Sequence, residues 1–244
     1  MDSARRLRFE AIEQPRAHVY VAEQLRREIA LRLLDPTTPL PPERELAQLF
    51  RVSRATVQQA LAQLESEGLV ERRRGRGGGT FVVGQVGEAK PTEELLAGIA
   101  RDRRLIEETL AFRRELEPAA AALAAEAATE ADRDSILDAA ARSEASETDA
   151  EFMRYDTEFH LAVARASRNR LFAEAVESAR VVLHGILPAL PESELWHART
   201  HRQHAEIVDA LMSQDAAGAR RAMHVHVQDT DDSIRALLAA LPPA

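Results

Sequence analysis

The 244-residue sequence predicts a mainly α-helical chain in two parts: an N-terminal winged helix-turn-helix with a small β-hairpin wing, then an all-α helical bundle. Three observations predict it. Apolar residues recur at helical spacing from Leu46 to Leu64 on both sides of a tight turn. A glycine-arginine tip, Gly75-Arg76-Gly77-Gly78-Gly79, separates two short runs with strand character. Beyond Pro91 the chain is alanine-rich and helical in period, with no strand alternation or internal repeat. The expected boundaries are a flexible leader over 1–16, the winged helix over 17–84, a linker over 85–92 and the helical domain over 93–241.

In chain order, Leu46, Leu49 and Phe50 give a first short helix its inner face, and Val57, Ala60, Leu61 and Leu64 form one stripe of a second. Two amphipathic helices so close in sequence must share a core. Arg51 and Val52 make the connection, and Ser53 stands where an N-cap belongs. The outward face of the second helix carries Arg54, Ala55, Gln58, Gln59 and Gln63, without a single acid, which suits a phosphate-lined groove. Leu69 to Arg74 and Thr80 to Val83 then read as paired strands. Arginines 72, 73, 74 and 76 can neutralise phosphates and release counterions, so binding to DNA should weaken with salt. An isolated basic hairpin is usually a solvated turn, but the helix pair before it favours DNA binding.

The segment from Ala17 to Val83 resembles the DNA-binding domain of the GntR family of bacterial transcription regulators. The likeness lies in an opening helix with Val19, Val21, Leu25 and Ile29 as apolar positions, in Leu40-Pro41-Pro42-Glu43-Arg44-Glu45-Leu46-Ala47, in Val52-Ser53-Arg54, and in Glu67-Gly68-Leu69-Val70 before the wing. The resemblance implies that Arg44, Ser53, Arg54, Ala55, Thr56, Gln58 and the wing tip Arg74, Gly75 and Arg76 lie at the operator. Gln58 departs from the arginine that many members carry. Arginine pairs best with guanine and glutamine with adenine, which implies an altered operator preference. One winged helix reads only a few base pairs, so a homodimer on a palindromic operator is expected.

Charge supports the division. Residues 1–84 carry fourteen arginines against eleven acids, a net +3, leaving −11 for the rest of a chain whose formal charge is −8. The acidic part is not expected to touch DNA. Cysteine is absent, so disulfides and thiolate metal sites are excluded and a reducing compartment, the cytoplasm, is the natural assignment. Arg5-Arg6 is followed by no apolar segment, and no eighteen uncharged apolar residues run together, so neither export nor a membrane span is expected. Glycine, proline and the single lysine mark the linker around Gly84 to Pro91. After it, Leu105, Leu110, Leu116 and Leu123 suggest one long helix that Pro118 can bend, and Thr129 with Asp132 reads as a capping box. Further helices are expected over about 149–166, 169–187, 194–212 and 215–241.

Within this bundle, polar residues sit on apolar faces. Asp156 and His160 share a helix face with Phe152, Phe159 and Val163. His204 precedes Ile207, Val208 and Leu211 on an inner stripe, and the set Ala219, Ala222 and Met223 selects His226 over His224. A buried carboxylate needs a partner. Three imidazoles and one carboxylate on three helices suit zinc, or another first-row divalent ion such as Ni2+ or Mn2+. A lone inward histidine is more often a hydrogen-bonded core residue; four agreeing positions favour the metal.

The same set resembles the FCD effector domain of the FadR subfamily. The pattern is Asp156-x-x-Phe159-His160, Ala166-Ser167-x-Asn169, His204-x-x-Ile207 and Ala219-x-x-Ala222-Met223-x-x-His226, with Arg113-x-x-Leu116-Glu117-Pro118 at the start. The resemblance implies Asp156, His160, His204 and His226 as metal ligands, with Arg113 and Asn169 at an effector pocket above them. An ion with open positions and a nearby guanidinium imply a small organic acid as effector, such as a sugar acid, a hydroxy acid or a dicarboxylate. Such a ligand would act by favouring one packing of a dimeric bundle. Two competing classes are a zinc hydrolase with an appended DNA-binding domain and an architectural DNA-binding protein. The first lacks a separate general base at a recognisable motif, and the second leaves the inward histidines unexplained.

Overall fold

A computed structural model describes residues 17–83, 92–190 and 194–242. The leader expected over 1–16 and linker residues 85–91 lie outside them. Contacts among the described residues separate two units, one of residues 17–29 and 34–83, the other of residues 30–33 and those from 92 onward.

The first unit contains α1 (Ala17–Ala30), α2 (Glu43–Phe50), α3 (Arg54–Ser66), β1 (Val70–Arg73) and β2 (Gly79–Val82). Its core joins Val21, Ala22 and Leu25 of α1, Leu40, Leu46 and Ala47, the α3 stripe Val57, Ala60, Leu61 and Leu64, and Val70 and Val82 of the hairpin. Two apolar positions named above do not join it: Leu49 is 71% exposed and Val19 41%. At about 100° per residue, Leu46, Phe50 and Ala47 span one arc of α2, and Leu49 falls outside it by roughly 60°. Val19 lies further still from the arc that Val21, Leu25 and Ile29 define.

The turn between α2 and α3 is closed locally. Arg51 takes the left-handed conformation (φ 54°, ψ 44°), and its N–H is directed to the carbonyls of Ala47 and Gln48. Ser53 Oγ accepts from Thr56 N at 3.1 Å, capping α3. The strands pair antiparallel, Val70 opposite Val82 and Arg73 opposite Gly79. Gly75 (φ 101°) and Gly77 (φ 85°) turn the tip through backbone conformations closed to most side chains. Leu40 N donates to Thr80 O at 2.7 Å, which ties the segment before α2 to the hairpin.

The second unit comprises α4 (Glu93–Arg101), α5 (Arg103–Ala127), α6 (Glu130–Glu144), α7 (Asp149–Ala166), α8 (Arg170–His184), α9 (Glu194–Met212) and α10 (Ala216–Ala240), with a 3-10 turn at Leu187–Ala189. The long helix α5 runs through Pro118, which has no N–H to offer the Arg114 carbonyl. Ala120, Ala121, Ala124 and Ala125 on α5 are buried, and their small side chains let neighbouring helices approach closely. The capping box at Thr129 and Asp132 is present in both directions. An additional helix, α4, begins at Thr92, whose hydroxyl accepts from Leu95 N at 3.1 Å. Phe159 and Val163 of α7, Ile207 and Leu211 of α9, and Ala219, Met223 and Val227 of α10 share one apolar core with Ala121, Ala124 and Ala125 of α5.

Candidate metal centre and nucleic-acid interface

Helical spacing puts Asp156 and His160 on the buried side of α7, His204 on that of α9 and His226 on that of α10. One ligand atom from each lies within 4.8 Å of the other three. His204 Nε2 is 3.4 Å and His160 Nε2 3.7 Å from Asp156 Oδ1, and the Nε2 atoms of His160 and His226 are 3.0 Å apart. All four residues are buried.

Each side chain is aimed by a neighbour. His160 Nδ1 donates to Glu117 Oε2, whose other oxygen accepts from Arg113 Nε at 2.7 Å. His226 Nδ1 donates to Gln203 Oε1 at 3.0 Å, and the Gln203 amide is itself oriented by donating to Asp229 Oδ2 at 2.6 Å. Asp156 Oδ2 accepts from Arg180 Nη2 at 2.5 Å, leaving Oδ1 to face the histidines. Phe159 stacks on the His204 ring at 4.0 Å. Outer partners of this kind fix imidazole tautomers with Nε2 free, as a metal requires.

The charge states suit a cation. Burial opposes ionisation of Asp156, but Arg180 and His160 hold its carboxyl well below the usual range. Burial likewise opposes ionisation of Glu117, and Arg113 with His160 outweighs it, so this carboxyl is also lowered. Burial holds His204 below its ordinary value, and burial with the neighbouring His204 and His160 holds His226 well below it. Both are therefore neutral near pH 7 and ready to ligate. His160 differs: burial lowers it, yet Glu117, helped by Asp156, raises it above 6.5. Neither ring nitrogen of buried His204 makes a hydrogen bond, Nε2 lying 3.4 Å from Asp156 Oδ1; a metal ion would satisfy Nε2, the nitrogen that faces the cluster. The residues thus fit a divalent cation.

A pH dependence follows. Without metal, the raised His160 contributes stability that is present below 6.5 and lost as pH rises through its folded value. A metal must displace that proton, so apparent affinity should rise with pH. Calorimetric Zn2+ titrations in buffers of different ionisation enthalpy should show greater proton release near pH ~6 than near pH ~8. Equal release at both would show that His160 does not compete with the ion.

The sequence pattern assigns no role to four residues that orient the cluster, Glu117, Arg180, Gln203 and Asp231. The available signal was a polar residue on an apolar stripe: Arg180 follows Val176 by four and precedes Leu183 by three, and Asp231 lies between Val227 and Ile234. Arg113, expected to line an effector pocket, is wholly enclosed, held by Glu117 and, at 3.5 Å, by Asp231, with its Nη2 unpartnered. Asn169 is exposed and caps α8, its side chain accepting from Leu171 N at 3.1 Å; it is not part of the buried cluster. A cleft of about 640 Å³ among Leu95, Ile99, Leu105, Ile106, Val182 and Ile186 shares no residue with the cluster.

On the first unit, Arg44, Ser53, Arg54, Ala55, Gln58, Arg74, Gly75 and Arg76 are exposed, and Thr56 is half-buried with its hydroxyl 2.8 Å from that of Ser53. The wing offers fewer free cations than its composition suggests. Arg72 lies 3.6 Å from Glu65, while Arg73 pairs with Glu71 at 2.6 Å and covers the Phe81 ring. Among the described residues, Arg74 and Arg76 make no ion pair. Nor is the outward face of α3 free of acid, because α2 brings Glu43 to it: Gln58 Nε2 donates to Glu43 Oε2 at 2.7 Å, and Arg54 lies 3.6 Å from the same oxygen.

A helix-turn-helix with an arginine-tipped wing in one unit and a helical domain holding a buried, ligand-ready His/Asp cluster in the other define a DNA-binding transcription regulator. Residues 18–82 match the gntR family of bacterial regulatory proteins, and residues 108–229 match the FCD domain. The chain belongs to the GntR family, with the FCD type of C-terminal domain that is consistent with the FadR subfamily. It is 31% identical over 207 residues to the HTH-type transcriptional regulator LutR of Bacillus subtilis (strain 168), covering 82% of this chain and 92% of that protein. It is 30% identical over 243 residues to the HTH-type transcriptional repressor NanR of Citrobacter rodentium (strain ICC168), covering 96% and 91%. A putative GntR transcriptional regulator from Rhodococcus sp. RHA1 shares the fold, with a TM-score of 0.51 at 23% identity over 92% of this chain and 99% of that one. These relatives are regulators, and neither the hydrolase nor the architectural alternative finds support among them. Among the described residues, no helix is long and apolar enough to cross a membrane.

Proposed function

We propose that the protein is a repressor, active as a homodimer on a palindromic operator, whose DNA affinity is set by a small organic acid bound at a divalent metal in the helical domain. Asp156, His160, His204 and His226 hold the ion, with zinc the preferred occupant and Ni2+ or Mn2+ as alternatives. The ion supplies a Lewis-acidic seat for a carboxylate. The observation that carries this reading is the convergence of four buried ligand atoms within 4.8 Å, with Glu117, Gln203 and Arg180 aiming three of the four ligands from behind. The unpartnered Nη2 of Arg113 adds a buried donor suited to an anion. Relatives support the assignment by their names: NanR is a repressor, and another, in Escherichia coli (strain K12), is a putative L-lactate dehydrogenase operon regulatory protein.

Because the four ligands and Arg113 are buried, admitting an acid requires the helices around them to shift, and that shift is what couples the site to the DNA-binding unit. Arg44, Ser53, Arg54, Ala55, Thr56, Gln58, Arg74, Gly75 and Arg76 form the DNA surface, the reading helix being α3. Titration of hydroxy acids, sugar acids and dicarboxylates into metal-loaded protein on labelled operator should reveal one class that changes DNA affinity by about 5- to 150-fold, the span of an ordinary allosteric coupling. An acid that binds by calorimetry yet leaves operator affinity unchanged contradicts the coupling.

A further inference from the structure

The contact between α2 and α3 reaches the surface that meets DNA. Gln58 is exposed on α3, one turn beyond the helix start, and its amide nitrogen donates to Glu43 Oε2 of α2 at 2.7 Å. Arg54, also on α3, lies 3.6 Å from that same oxygen. A carboxylate on a phosphate-facing surface is ordinarily unfavourable, and the Arg54 guanidinium offsets its charge. The carboxylate can only accept hydrogen bonds, so it tolerates the NH2 end of the amide and repels the carbonyl end.

We propose that Glu43 is a positioning residue for base recognition, locking the Gln58 amide in one orientation so that the pair selects adenine in the major groove. One N–H of Gln58 is held by Glu43. The second N–H and Oε1 remain, one donor beside one acceptor. Adenine presents the complement in the major groove, N7 as acceptor and N6–H2 as donor, whereas guanine presents two acceptors there and would face the Gln58 carbonyl with one of them. A free glutamine side chain can turn its amide over and so discriminates less; the bond to Glu43 removes that freedom. This inference rests on the operator reading above and adds which base is read and what orients the reader.

Selection from a random-sequence DNA pool with full-length protein tests it. The wild type should enrich a palindrome with adenine at one symmetric position in each half-site. Gln58→Arg should change that position to guanine. Glu43→Gln, which keeps the size but can hold the amide either way round, should reduce the adenine preference there about tenfold and leave the other positions unchanged. Uniform loss of recovery for Glu43→Gln across all sequences would overturn the proposal, since it indicates a general electrostatic or folding role; melting curves distinguish those two. Unchanged selection by Gln58→Arg would also overturn it. If the wild type enriches no sequence, the operator reading itself fails; if it enriches a palindrome that neither substitution alters, only the Glu43–Gln58 pairing fails.

Discussion

Replacing His204 by alanine is expected to strip the helical domain of its metal and its effector response while leaving operator binding within about twofold of wild type. His204 is buried against Phe159, and its ring nitrogens make no hydrogen bond, Nε2 lying 3.4 Å from Asp156 Oδ1, which leaves ligation open to it. Removing an outer partner of a metal ligand typically costs about 10- to 100-fold in affinity, and removing the ligand itself should exceed ~100-fold. The remaining network survives the change: Asp156 keeps Arg180, His160 keeps Glu117 and His226 keeps Gln203. The loss of packing against Phe159 leaves a cavity of modest cost, on the order of 2–4 kcal/mol. His204→Gln fills that space and controls for it. Elemental analysis of purified protein, with band-shift titrations with and without acid, provides the readout. Unchanged metal content in both variants would mean that the four residues are a hydrogen-bonded core cluster. Loss of metal with the acid response intact would move the effector elsewhere.

The helical domain illustrates what periodicity can and cannot deliver. The ends of α7 and α9 and the inward set Asp156, His160, His204 and His226 follow from spacing alone, because an apolar stripe fixes the direction of every residue on it. What a stripe cannot fix is which residue of another helix comes opposite. Glu117 and His160 are 43 positions apart, and Gln203 and His226 are 23 apart. Their pairing depends on how four helices, α5, α7, α9 and α10, pack. Short elements are less legible for a different reason. In an eight-residue helix such as α2, only Leu46, Ala47 and Phe50 touch the core, so Leu49 matches the helical period and still faces solvent. On the DNA-binding unit, composition overstated the wing: Glu71 stands two residues before Arg73 on one face of β1, and the fold brings Glu65 of α3 to Arg72.

Arg113→Met should be the most destabilising single change at the centre. The guanidinium is fully enclosed, with Glu117 at 2.7 Å and Asp231 at 3.5 Å, and methionine preserves its bulk without its charge. Removing one partner of a buried pair leaves an uncompensated charge and costs about 3–5 kcal/mol. For a chain of this size, that lowers the melting temperature by roughly 10 °C. Burial already pushes the Asp231 carboxyl up to about 6 against the pull of Arg113, Arg114 and Arg235. Its raised value means that Asp231 contributes stability below its unfolded value of 3.8 that is lost as pH rises through about 6. Without Arg113 the carboxyl is raised further, so the deficit of the variant is greatest above that raised value and should shrink as pH falls toward about 6. Adding Asp231→Asn to Arg113→Met should recover part of the loss, since it removes the orphaned charge. Glu117 would then depend on His160 and the more distant charge of Arg180, hold its proton more tightly and weaken metal binding in acid. A melting temperature unchanged in Arg113→Met, or a deficit that grows on acidification, would show that the guanidinium does not neutralise this cluster.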